Sequence, residues 1–324
     1  MTALTSWAMT GALLTQFAQM ALVLGLAPLL TGLVRKVKAR LQRRQGPPLL
    51  QPYRDLRRLF GKDVVMAANA SWLFRGAPYV VFAITWVAAS LIPTFATGLL
   101  FSWSGDLLVI IALFGGVRFA QALAGLDVGT SFGGIGASRE VMIASLAEPA
   151  MVMIVFSVAL IAGSTQLSTI AVFMQSDAVG LRVSLALALV ALIIVAISEN
   201  GRIPVDNPAT HLELTMVHEA MVLEYSGRHL ALIDLAASLK LLAYASLIIC
   251  LFLPFGLAGE ASAPLDYAAG AGFWLAKLTG AGVLLGVSEM SIAKMRVFRV
   301  PNFLGAALML ALLGVLLLFV SRGM

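Results

Sequence analysis

The sequence has 324 residues, of which 60% are hydrophobic and 12% charged, with a formal net charge of +6 and a mean hydropathy of +0.96. Soluble domains carry roughly 25% charged residues, so a water-soluble globular enzyme, a disordered tail and a disulfide-stapled secreted module are all excluded. The apolar runs are long and continuous rather than short and alternating, which also excludes a β-barrel porin.

A bilayer core takes about 20 apolar residues per helix. Eight such runs follow one another, at about 10–34, 77–99, 105–126, 140–163, 180–198, 230–257, 266–288 and 303–321. They predict an all-α integral membrane protein with about eight transmembrane helices, forming a single polytopic membrane domain over residues 1–324. The first run is read as a retained span and not a cleaved signal, because basic residues follow it and none precedes it.

The connection after the first run reads ARLQRRQGPPLLQPYRDLRRLFGKD. Pro47 and Pro48 can open a helix and Gly61 can close one, while Leu49, Tyr53, Leu56 and Phe60 recur at helical spacing. The expectation is a short cytoplasmic amphipathic helix with a basic face. It suits either the membrane interface or a protein partner.

Ionisable residues inside apolar runs are costly unless paired or wet, so each is a candidate for function. Arg118 lies mid-run, with Gln121 and Gly125 on the same stripe. Glu140 and Glu148 mark the fourth run, Lys240 the sixth, with Tyr244 one turn on, and Lys277 the seventh. Two uses fit them: buried ion pairs that fix helix register, and a hydrated proton or ion path.

The connection SENGRIPVDNPATHLELTMVHEAMVLEYSGRH is the densest in charge, with Glu199, Asp206, Glu213, Glu219 and Glu224 beside Arg202, His211 and His218. Pro204 and Pro208 break helix, and irregular backbone at membrane depth survives only where it is buried in protein or lines water. Clustered carboxylates there could pass protons along. His211 and His218 with Glu213 could also ligate a metal, although no zinc signature such as HExxH is present, and a solvated acidic loop remains open. The single cysteine, Cys250, and three histidines cannot by themselves hold a thiolate-ligated iron–sulfur cluster.

Orientation follows from the basic residues, 17 of 22 of which fall in four connections at about 35–76, 127–139, 199–229 and 289–302. Those connections are expected to be cytoplasmic and both termini periplasmic, in a bacterial inner membrane. The positive net charge is therefore a topology signal and not nucleic-acid affinity.

Three segments carry a resemblance. RRQGPPLLQPYRDLRRLFGKD, GASREVMIASLAEPA, and ENGRIPVDNPATHLELT leading to LEYSG resemble, in order, the loop motifs of the H-type membrane subunit of respiratory complex I. Ala209 and His211 stand where that family has glutamates, a pattern similar to its hydrogenase branch. That branch comprises the related membrane components of group 4 nickel–iron hydrogenases, of the hydrogenase-4 and formate hydrogenlyase type. The resemblance implies a membrane anchor with no catalytic residue, metal or cofactor of its own. The nickel–iron centre and iron–sulfur clusters would sit on partners: the hydrophilic hydrogenase large and small subunits and an iron–sulfur subunit. Antiporter-like membrane subunits would be further neighbours. Arg43, Arg44, Arg54, Arg57, Arg58, Arg139 and Arg202 would dock the soluble arm. Glu199, Asp206, Glu213, Glu224, Glu140, Glu148, Arg118 and Lys240 would couple its chemistry to ion movement. The alternatives are the quinone-site membrane component of an NADH-quinone oxidoreductase and a standalone cation or proton transporter.

Overall fold

A computed structural model describes residues 2–176, 182–206, 216–259 and 262–323. Its elements are α1 (Thr2–Leu41), α2 (Gln51–Phe60), α3 (Trp72–Leu91), α4 (Leu107–Asp127), α5 (Ser131–Ala162), α6 (Leu167–Met174), α7 (Val183–Glu199), α8 (His218–Val222), α9 (Gly227–Phe252), α10 (Pro264–Ser291) and α11 (Val300–Gly323). Seven helices are long and apolar enough to cross a membrane, and the fifth predicted run forms the shorter apolar helix α7, 17 residues long. The chain is a multi-pass helical membrane protein. Glu213 and His211 lie outside the described residues.

Helix α9 sits at the centre, packed on α1, α2, α3, α7 and α10, while α5, α7 and α11 form a second group that meets it through α7, with α4 between α3 and α5. The helix ends gather in two layers. At the basic end, Asp127 closing α4 accepts from the Ser71 amide that caps α3 (2.9 Å). At the other end, the Thr97 amide donates to Ala258 (2.9 Å) and Leu107 to Thr165 (3.0 Å). Pro93 stops α3 early, and its freed carbonyls need partners in an apolar setting. The buried Gln19 amide supplies them, donating to Ser90 (3.0 Å) and Ile92 (2.8 Å).

Two expected boundaries change. The connection expected at 127–139 shrinks to three residues, because Thr130 caps α5 by accepting from the Gly133 amide (3.2 Å). The glycine-rich segment Gly133–Gly136 is a poor helix former by propensity. It is helical in the fold, and glycine is required there because a Cβ on Gly133 would lie 2.1 Å from the Gly125 carbonyl, where α4 and α5 cross backbone to backbone. The short helix after α1 begins at Gln51 with Pro52 in its first turn, not at Pro47 or Pro48. Its buried contact is Pro52, with Tyr53 and Leu56 half-buried. Leu49 and Phe60, expected on the apolar face, are exposed, while Arg54, Arg57 and Arg58 point outward.

The LEYSG motif is a clamp at the start of α9. Tyr225 stacks on Phe74 (4.0 Å between ring centroids) and donates to the Phe74 carbonyl (3.1 Å). Burial holds its phenol above the ordinary value, so it stays a donor. Ser226 Oγ donates to the Val65 carbonyl and accepts from the Val65 amide, both at 2.8 Å. Gly227 has φ +54°, and a Cβ there would lie 2.5 Å from the Asp63 carbonyl. Gly227→Ala is therefore expected to lower stability by about 1–3 kcal/mol. Gly76→Ala, with open space around it, should be close to neutral, and thermal unfolding in detergent checks both.

Candidate functional site

The charged residues inside the bundle converge. Glu199, the last residue of α7, has a fully buried side chain, and its two oxygens are held from opposite sides. Arg118 Nη1 of α4 lies 2.6 Å from Oε1, and Lys240 Nζ of α9 lies 3.0 Å from Oε2. Arg118 Nη2 also reaches Glu148 Oε1 of α5 at 3.4 Å. Glu148 is the outermost member, with 47% of its side chain exposed in an open groove between α5 and α11. Tyr244, one turn beyond Lys240, stacks on Phe114 (5.0 Å) and walls the cluster.

Glu140 of α5 is buried within electrostatic reach of Lys240, Glu199 and Arg118, and makes no ion pair among the described residues. Two cations, Arg118 and Lys240, therefore face three carboxylates. A buried charge survives only when compensated; the two cations match the two buried carboxylates, Glu199 and Glu140, while Glu148 is half-exposed.

A narrow cleft of about 40 Å3 opens beside this cluster, with Gln121, Glu199, Asn200, His218 and Lys240 in its wall. Toward the basic end lies a much larger chamber of about 640 Å3 between α1, α2, α9 and the segment after α7. Its wall carries Arg35, Lys38, Asp55, Arg202, Asp206 and Asp234. Burial, and then the charge on Lys240, hold the His218 imidazole below its ordinary value of 6.5. His218 is thus neutral at physiological pH.

The other expected residues divide. Asp206 pairs with Lys294 (3.0 Å) and accepts from the Val217 amide (3.3 Å), which pins the segment after α7 to the connection before α11. Glu224 lies half-buried in the turn before α9, apart from the cluster. Arg43, Arg44, Arg54, Arg57 and Arg58 are exposed at the basic end. Arg139 and Arg202 instead turn inward: Arg139 Nη1 donates to the Met216 carbonyl (2.6 Å), and Arg202 Nη1 meets Glu289 at 3.3 Å. Lys277 caps the end of α9, donating to the Leu253 carbonyl (2.7 Å) and to Phe255.

Sequence reasoning missed Glu289, which is buried between Lys38 (2.6 Å) and Arg202 and joins α10, α1 and the segment after α7. The signal was a lone carboxylate at the end of an apolar run. Asp234, on the chamber-facing side of α9, was missed for the same reason. Among the described residues, no group of three or more His, Cys, Asp or Glu side chains is placed to hold a metal.

The family model for NADH dehydrogenase matches residues 14–320. The chain belongs to that family, which includes the H-type membrane subunit of complex I. Among its relatives, hydrogenase-4 component C of Escherichia coli (strain K12) is 40% identical over 247 residues, 76% of each chain. Formate hydrogenlyase subunit 4 of the same organism is 36% identical over 237 residues, 73% of this chain and 76% of that one. The fold matches a chain in the structure of the membrane-bound sulfane sulfur reductase, an archaeal respiratory membrane complex. There the TM-score is 0.80 at 20% identity, covering 95% of this chain and 99% of the other.

The ion cluster makes a stability prediction. Arg118→Gln strands Glu199 with one partner and should cost about 3–5 kcal/mol. Adding Glu199→Gln should return part of that loss, because the second change removes the uncompensated charge. Thermal unfolding of both variants and the double variant in detergent tests the coupling, and strict additivity would refute it.

Proposed function

We propose that the chain is the membrane anchor and ion-coupling component of a multi-subunit energy-converting hydrogenase of the formate hydrogenlyase or hydrogenase-4 type. The observation that carries this reading is the Glu199 carboxylate, clamped between Arg118 and Lys240 beneath a chamber at the basic end of the bundle. In this reading the basic end is cytoplasmic and both termini are periplasmic, in a bacterial inner membrane, as the excess of Lys and Arg at that end supports.

The soluble arm, with hydrogenase large and small subunits and an iron–sulfur subunit, docks on the exposed basic face of α2 and on Arg43 and Arg44. Nickel, iron and the clusters belong to that arm. Electron transfer at the dock changes the charge above the chamber. The chamber relays that change as a proton to the cluster. Glu140 is the group that can take up that proton, since Glu199 is already held by two cations. Glu148, half-exposed in the groove between α5 and α11, is the exit toward antiporter-like membrane neighbours.

A second reading, the wall of a quinone pocket, draws on the volume of the chamber. The density of ionised side chains on its wall favours water over an apolar quinone tail.

The native complex, extracted in mild detergent by a tag on this chain, is expected to turn over hydrogen with a viologen dye and to contain nickel and iron. Quinone reduction without hydrogen turnover would move the chain to the second reading. In that complex, Glu140→Gln and Glu199→Gln should leave assembly intact but uncouple or slow turnover, and loss of assembly would make the carboxylates structural. Arg57→Glu combined with Arg58→Glu should release the soluble arm during purification. Unchanged retention of the arm would reduce α2 to a lipid anchor.

A further inference from the structure

The chamber and the inner cleft are separate spaces that share three wall residues, Asn200, His218 and Ala237. Of the three, only His218 can gain and lose a proton near neutral pH. We propose that His218 is the proton-transfer residue between the chamber and the buried cluster. It accepts a proton from chamber water on one ring nitrogen and releases the proton on the other toward the cleft where Lys240 and Glu199 lie. Glu140 receives the proton, and the imidazole, left neutral as its other tautomer, is reset by a ring flip before the next transfer, so no net charge is left behind. The inference rests on the coupling role proposed above and adds the residue through which the chamber feeds the cluster.

Position supports it from each side. His218 opens α8, directly after the segment tied down by Asp206, which accepts from the Val217 amide. Gly201 turns the chain with φ +55° at the end of α7, and a Cβ there would lie 3.9 Å from His218 Cβ. His218 thus starts close to the end of the helix that carries Glu199, and both line the inner cleft. The charged groups facing it are Lys240 of α9, Glu219 of α8 and Asp206 after α7, with Glu199 across the cleft. Lys240 disfavours the imidazolium and the two chamber-side carboxylates favour it. A proton taken up on the ring is therefore unstable there and is passed on. Neither Asn200 nor Ala237 can do this.

The test uses the intact complex in sealed vesicles, reading redox turnover and proton translocation separately, with co-purification of the partner subunits as the check on assembly. His218→Ala and His218→Gln should assemble and lose translocation by about 100-fold. Imidazole added to the chamber side should restore it in His218→Ala, with a rescue that varies with the pKa of substituted imidazoles. A purely structural histidine would give no such dependence. Glu140→Gln serves as the reference. If that variant is uncoupled while both His218 variants translocate like the wild type, the relay is wrong and the coupling role stands. If Glu140→Gln and the His218 variants all translocate normally, the coupling role itself falls. Loss of translocation without imidazole rescue, or failure of both His218 variants to assemble, assigns His218 a structural role and overturns the relay.

Discussion

A carboxylate buried in an apolar helix bundle has to be neutralised, and Glu199 is neutralised by Arg118 from α4 and Lys240 from α9. Each of those side chains would itself cost several kcal/mol alone at that depth. The three therefore lock α4, α7 and α9 at one level, and through Arg118 they also hold the Glu148 turn of α5. A buried pair is seldom a net source of stability compared with apolar packing of the same volume. Here it fixes the level at which α4, α7 and α9 meet, with the buried Glu140 beside it.

The bundle around it is arranged for the same constraint. Small residues let helices approach closely where they cross, as Gly133 does against Gly125. Backbone freed by Pro93 is met by Gln19, and the segment after α7 is fixed by two further ion pairs, Asp206–Lys294 and Arg202–Glu289, while Lys38 also pairs with Glu289. These pairs carry irregular backbone down to the mouth of the chamber, where it can be wet on one side and packed on the other. The exposed arginines Arg43, Arg44, Arg54, Arg57 and Arg58 lie at that same end.

Several motifs divide differently from how they read in sequence. The LEYSG segment looks like part of an acidic relay, yet Tyr225, Ser226 and Gly227 form a clamp that holds 63–74 against α9, and Glu224 stands apart from the cluster. Arg139 and Arg202 count as basic loop residues by position. In the fold one lies on a helix that begins eight residues earlier than it, and the other is consumed by Glu289.

Composition and the eight apolar runs by themselves determined a multi-pass helical protein, because hydrophobic length along the chain is a local property that the bilayer reads directly. The distribution of Lys and Arg set which helix ends lie together, and the loop motifs set the family. The sequence also marked Arg118, Glu140, Glu148, Glu199 and Lys240 as costly residues. Only the tertiary structure decided which of them meet, since pairing joins positions on four helices that no spacing rule connects. It alone revealed Glu289 as a buried anchor, the groove that leaves Glu148 half-exposed, and the shared wall that puts His218 between two cavities. Those features arise from how helix faces cross, and a pattern read along one strand of sequence carries no information about the partner face.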